Sequence, residues 1–150
     1  MNPVVEDLPS RRAAWEALSD LYLDTDVSLS RSWRIEKLSE SSYTITELEQ
    51  ILIDEIYPVC KYNLLSVAGV WTGFDPVWLE GEILRRLASP LRCIHAFNIG
   101  RITVPMMSEW RATKAGIAIR RTKHAIRVDG LDRCFVRVAS QPTSSRSHAS

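Results

Sequence analysis

Between Ser10 and Pro90 the apolar residues recur at spacings of three and four, in runs kept short by caps, glycines and prolines. That pattern demands short amphipathic helices, each with one face to bury. Trp15, Leu18, Leu21 and Tyr22 form one stripe on a helix expected from Arg11 to Leu23, with Ser10 as N-cap. Asp24-Thr25-Asp26 interrupts it. A second helix is expected from Ser28 or Ser30 to Glu40, with Leu29, Trp33 and Leu38 inward and Ser41-Ser42 closing it. Thr44 to Glu47 and Thr46 to Glu49 are capping-box registers for a third, whose buried face is Leu48, Ile51, Leu52 and Ile56. Pro58 should stop or kink that helix, because proline lacks the donor and clashes with the preceding turn. A short buried helix from about Asn63 and a turn at Gly73 come next. Asp75 then caps a helix that Pro76 opens, where a missing N–H is harmless. Glu80 and Glu82 near its start and Arg85 and Arg86 near its end suit the helix dipole. Ser89-Pro90 ends it. The expected fold is mainly α, a bundle of four or five helices over about residues 8–90.

Beyond Pro90 the texture changes, and residues 91–139 are expected as a basic α+β appendage. Ile99–Met106 reads as a strand that Pro105 confines to a sheet edge. Ser108 caps a helix to about Lys123, with Trp110, Ile117 and Ala118 inward and Gly116 weakening it by about 1 kcal/mol relative to alanine. Residues 125–128 and 134–138 read as two short strands around Asp129-Gly130. The polar residues 140–150 are expected to be disordered.

Charge divides the chain near the same place. Residues 1–87 carry eight Lys/Arg and fifteen Asp/Glu, a net of −7, whereas residues 88–150 carry eleven and three, a net of +8. Such a split suits a nucleic-acid-binding arm, an intramolecular clamp, or an added segment foreign to the rest of the chain. The length of 150 residues suits one domain. No run approaches the roughly 20 apolar residues that cross a bilayer. The N-terminus has acids where a signal peptide has basic residues, so a cytoplasmic protein without a membrane partner is expected. Cys60, Cys93 and Cys134 lie far apart without a CxxC pair and read as buried thiols. His95, His124 and His148 have no partner histidine or cysteine at i,i+4, and Cys93 with His95 does not complete a site. No metal and no cofactor is expected. GxSxG, P-loop, GxGxxG and HExxH motifs are all missing from the sequence.

Three blocks carry a resemblance: RRAAWEALSDLYLDT at Arg11–Thr25, ELEQILIDEIYPV at Glu47–Val59, and NLLSVAGVWTGFDPVWLEGEIL at Asn63–Leu84. Over Arg11–Leu87 the chain resembles a family of short bacterial proteins of unknown function. The resemblance implies a small helical domain and a bacterial source, and it implies no activity.

Four groups of residues stand out for chemistry. Glu16, Asp20 and Asp24 line one helix face, where carboxylates bind a cation or share a proton, or simply form a solvated acidic surface. Asp54 and Glu55 oppose the dipole near the end of the third helix, which points to a salt bridge with Arg11, Arg12 or Lys61, or to a functional carboxylate. Asn63, Ser66, Trp71 and Phe74 combine polar groups, aromatics and two glycines, as a partner-binding edge does; a buried helix joint has the same composition. Lys114, Arg120, Arg121, Lys123 and Arg127 lie in the basic segment Arg111–Arg137, which would neutralise phosphates, with Trp110 and Phe135 stacking if exposed. No nucleic-acid reader signature accompanies them.

These features point first to a non-enzymatic protein-interaction or regulatory module, adaptor or immunity-like, whose partner is another protein. Nucleic-acid binding through Arg111–Arg137 is the second reading. An enzyme using Asp20, Asp24 or Asp54 is the third.

Overall fold

The computed structural model describes residues 7–63, 70, 72–89 and 104–139, with side chains in the last helix described from Met106 to Arg127. The chain is mainly α. Its helices are α1 (Leu8–Ser19), α2 (Arg31–Glu40), α3 (Ile45–Ile51), α4 (Tyr57–Cys60), α5 (Pro76–Leu87) and α6 (Val104–Ala139), and the described residues contain no strand.

Local signals account for most helix ends. Thr44 accepts from the Glu47 backbone N–H at 3.2 Å while the Glu47 carboxylate accepts from the Thr44 N–H at 2.8 Å, so both halves of the capping box are made. Asp75 accepts from the Trp78 N–H at 2.7 Å and opens α5. Arg85 and Arg86 lie in the last turn of α5, as the dipole favours. The first stripe behaves differently near its end: α1 stops at Ser19 and a 3-10 turn, Asp20–Tyr22, finishes it.

Pro58 does not stop the third helix. A π turn, Leu52–Ile56, joins α3 directly to α4. Pro58 has no N–H to donate and its ring would collide with the carbonyl of Asp54, so the helix widens ahead of it. The turn aims Leu52, Glu55 and Ile56 inward together.

One core ties these pieces together. Trp15 and Leu18 of α1, Leu38 of α2, Leu48 and Ile51 of α3, Ile56, and Leu79 and Ile83 of α5 meet Trp110 and Ile117 of α6. The core therefore runs past Pro90. The most extensive helix–helix contact is that of α2 against α6. Leu29, expected inward, is 83% exposed in the loop before α2, and its place is taken by Arg34, which has no exposed surface.

The expected β structure of the appendage is not found. Val104–Met106, residues 125–128 and residues 134–138 all lie within α6, and residues 99–103 and 140–150 are outside the described residues. The physical reason is helical spacing. Met106, Trp110, Thr113 and Ile117 fall four, three and four apart and are all buried, so the helix is nucleated by packing and then propagates at little extra cost. Ala118, expected inward, is exposed.

Glycine separates two predictions. A Cβ on Gly116 would stand 2.2 Å from Ile35 Cδ1 and 2.8 Å from Ile35 Cγ1, across the α2–α6 contact. Gly81 has nothing within 4 Å and lies inside α5. Gly116→Ala is expected to destabilise by about 1–3 kcal/mol, because overpacking a stiff isoleucine outweighs the helix-propensity gain. Gly81→Ala should stabilise by about 0.5–1 kcal/mol. Urea midpoints of the two variants would move in opposite directions.

Candidate functional site

Two buried charge clusters come first, because they decide which ionic groups remain available. Glu55, on the π turn, accepts from Arg11 Nη1 at 2.6 Å and from Trp15 Nε1 at 2.6 Å. Arg11 and Glu55 are both buried, and the Arg11 guanidinium lies 5.2 Å from the Tyr43 ring centroid. The salt bridge expected of this acidic pair is thus made by Glu55 to Arg11, while Asp54 is exposed.

The second cluster was not read from the sequence. Arg34 donates through Nη1 to Asp20, through Nη2 to Glu109 at 2.6 Å, and through Nε to Thr113 Oγ1 at 3.2 Å. Arg31 donates Nε and Nη2 to the two oxygens of Glu109, both at 2.6 Å. Ser30 Oγ donates to Asp20 at 2.5 Å. Burial pulls the Arg34 guanidinium below its ordinary pKa, and Asp20 and then Glu109 oppose that pull. The Arg31 hydrogen bond holds the Glu109 carboxyl below its ordinary range. One signal was available: Arg34 stands four residues before Leu38, on the same helix face.

The basic segment largely turns back onto the acidic half. Lys114 Nζ lies 2.9 Å from Glu49 Oε1, and Arg120 lies 2.9 Å from Glu36. Arg121 donates to the carbonyls of Leu38, Ser39 and Ser41 at 2.9, 3.2 and 3.0 Å, where α2 leaves orphan acceptors. Lys123 and Arg127 are exposed. Trp110 has no exposed surface and offers no face to a base, and Phe135 lies outside the described side chains.

Asn63 acts as a clamp. Its Nδ2 donates to the Tyr22 carbonyl at 2.8 Å, and its Oδ1 accepts from the Val70 N–H at 2.7 Å. The Asp24 N–H donates to the Val70 carbonyl at 3.0 Å. Ser66 and Trp71 lie outside the described residues.

Beside this clamp an open groove of about 520 Å³ runs between α1 and the turn that precedes α5, with Glu16, Asp20, Trp33, Phe74 and Asp75 in its walls. Gly73 shapes the rim with φ +131°, a conformation that side-chain-bearing residues rarely adopt. Phe74 stacks on Trp78 with centroids 5.9 Å apart and planes 15° apart. Trp78 is 47% and Val77 80% exposed, so an aromatic ledge continues outward from the groove. A smaller depression of about 90 Å³ shares Glu16, Phe74 and Pro76, and its one cation, Arg12, is held by Glu80 at 2.7 and 2.8 Å. Of the expected edge residues, Phe74 belongs to this groove and Asn63 anchors the chain behind it.

Among the described residues no three His, Cys, Asp or Glu side chains gather as metal ligands. Asp20 is held by Arg34 and Ser30, apart from any such set. Burial pushes the Cys60 thiol up to about 12, which leaves it protonated and unreactive at neutral pH. No helix among the described residues is long and apolar enough to cross a membrane.

These features define a small helical bundle with an acidic, aromatic-walled groove. The chain belongs to the family described as a domain of unknown function (DUF7079), whose model matches residues 9–116. The match extends beyond Arg11–Leu87 and ends inside α6, in the stretch whose side chains complete the core. No curated protein and no solved structure matches the chain.

The Arg34 cluster makes a stability prediction with a definite sign. Arg34→Ala leaves Asp20 and Glu109 without their shared cation and is expected to cost about 3–5 kcal/mol. A carboxyl whose folded pKa is depressed stabilises above its unfolded value and loses that contribution as pH falls through the folded one. Glu109 has an ordinary value of 4.5, so its contribution should fade below that pH. Urea midpoints of the wild type should fall as pH drops from about 6 to 3, and Glu109→Gln should flatten the slope.

Proposed function

We propose that this chain is a non-enzymatic protein-interaction module, adaptor or immunity-like in kind, that engages a partner protein through the groove and the Phe74–Trp78 ledge. The observation that carries this reading is the ledge itself. Trp78, exposed and stacked on the half-buried Phe74, stands with the exposed Val77 next to a concave surface, and such anchors supply much of the binding energy at protein interfaces. The chemistry elsewhere supports the same conclusion. Glu55, Glu109 and Asp20 hold arginines and build the fold. Asp54 and Asp24 stand exposed and apart from one another, without the paired geometry of acid–base work.

Nucleic-acid binding has weaker support. Lys114 and Arg120 pair with carboxylates and Arg121 caps α2, which leaves Lys123 and Arg127 as the cations of the proposed set without an ion-pair partner among the described residues. Two such charges make a small phosphate-neutralising surface.

A photo-crosslinking residue at Val77 tests the reading against one at Leu29, which is equally exposed and stands in the loop before α2. In the source cells Val77 should yield a discrete protein adduct and Leu29 should not. The captured protein, purified, should bind the wild type and lose at least about tenfold in affinity to the Phe74→Ala/Trp78→Ala variant. Because Phe74 packs against the core, the thermal midpoint of that variant should fall, and binding is compared at a temperature where the melt shows both proteins folded. Adducts of equal yield at both positions, or at neither, would overturn the proposal.

A further inference from the structure

We infer that the partner presents a Lys- or Arg-bearing segment to the groove between α1 and the Gly73 turn; this rests on the interaction reading above. Among the described residues the groove walls include no lysine or arginine, whereas Glu16 and Asp75 contribute carboxylates beside Asp20, which Arg34 holds. Glu16 is exposed, and among the described residues it forms no ion pair. Asp75 accepts from the Trp78 backbone N–H in capping α5 and, among the described residues, forms no ion pair. Trp33 and Phe74 add aromatic faces, on which an ammonium or guanidinium group sits favourably.

The distribution of the chain's own cations explains why the negative charge gathers here. Lys114 and Arg120 neutralise Glu49 and Glu36 on the α2–α6 side, and Arg12 neutralises Glu80 in the neighbouring depression. Among the described residues, the basic half therefore answers the acidic half on the α2–α6 flank. Asp24 and Asp26, exposed in the loop that follows Leu23, extend the same negative field. Concave walls of low dielectric concentrate such a field and draw an oppositely charged segment in. An acidic segment or a phosphate backbone would be repelled by it.

The test uses the full-length, 15N-labelled chain and a capped peptide of alternating arginine and alanine, with a glutamate–alanine peptide as counterpart. The Gly73 amide and the Trp33 indole N–H report on the groove. The arginine peptide should give saturable shifts at both, weakening as salt is raised, and the glutamate peptide should give none. Glu16→Lys should weaken the arginine peptide by about fivefold, the scale of one partly exposed ion pair. Asp54→Lys makes the same change in net charge at an exposed site outside the groove walls, and should alter affinity by less than about twofold. Unsaturable shifts, or equal losses from the two lysine variants, would mean general attraction and overturn the inference. A protein captured at Val77 whose binding ignores Glu16→Lys would overturn the cationic segment while leaving the interaction module standing. The lack of any adduct at Val77 would remove the reading on which both depend.

Discussion

A guanidinium with no exposed surface has to find its anions inside the protein, and Arg34 takes them from two directions. Asp20 comes from the 3-10 turn that ends α1, and Glu109 comes from α6, with Arg31 closing the other side of that carboxylate. A buried charge without such partners is costly enough to unfold a domain of ordinary stability. The cluster therefore specifies where α2 lies against α6 and where the chain turns after Ser19. The groove inherits its position from this arrangement, since Asp20 is both a partner of Arg34 and part of the groove wall. A second cluster, Arg11–Glu55–Trp15, does for α1 and the π turn what Arg34 does for α2 and α6.

The charge split acquires a structural meaning from these contacts. Within the described part of the basic half, Lys114, Arg120 and Arg121 all dock on the acidic half. The exchange also runs the other way. Glu109, one of the few acids of the basic half, holds two arginines of the acidic half. What remains after this mutual neutralisation is uneven, with carboxylates left on the α1 side beside exposed aromatics. The buried ionic groups are committed to the fold, and the exposed carboxylates of the groove are those on which the proposed interaction rests.

Much of the fold was legible where the signal is local. The Thr44–Glu47 capping box, the Asp75 cap, the stripe through Trp15 and Leu18, and the inward Trp110 and Ile117 all follow from residues within a few positions of each other. The salt bridge of Glu55 was legible as a misfit with the dipole, with Arg11 among its named partners. Less of the site could be read. Phe74 stood out, but its neighbour Trp78, which makes the ledge, did not, since stacking across four residues depends on how α5 leaves the Gly73 turn. Leu29 looked like a core residue but is exposed, and Arg34, which was not singled out, is buried. The reason is that α6, far away in sequence, brings Glu109 to that spot.

The sequence by itself determined that the chain is mainly α, where α2, α3 and α5 begin, and most of the faces they bury, because capping and apolar spacing act over one or two turns. It also determined a family likeness without an activity. The tertiary structure alone decided that Pro58 is absorbed by a π turn, that α6 continues the core as a helix, and which described charges pair with which. Those outcomes depend on groups such as Arg34 and Glu109, 75 positions apart in the chain. Coulombic pairing and close packing depend on distance in space, which a linear pattern of residue types does not contain.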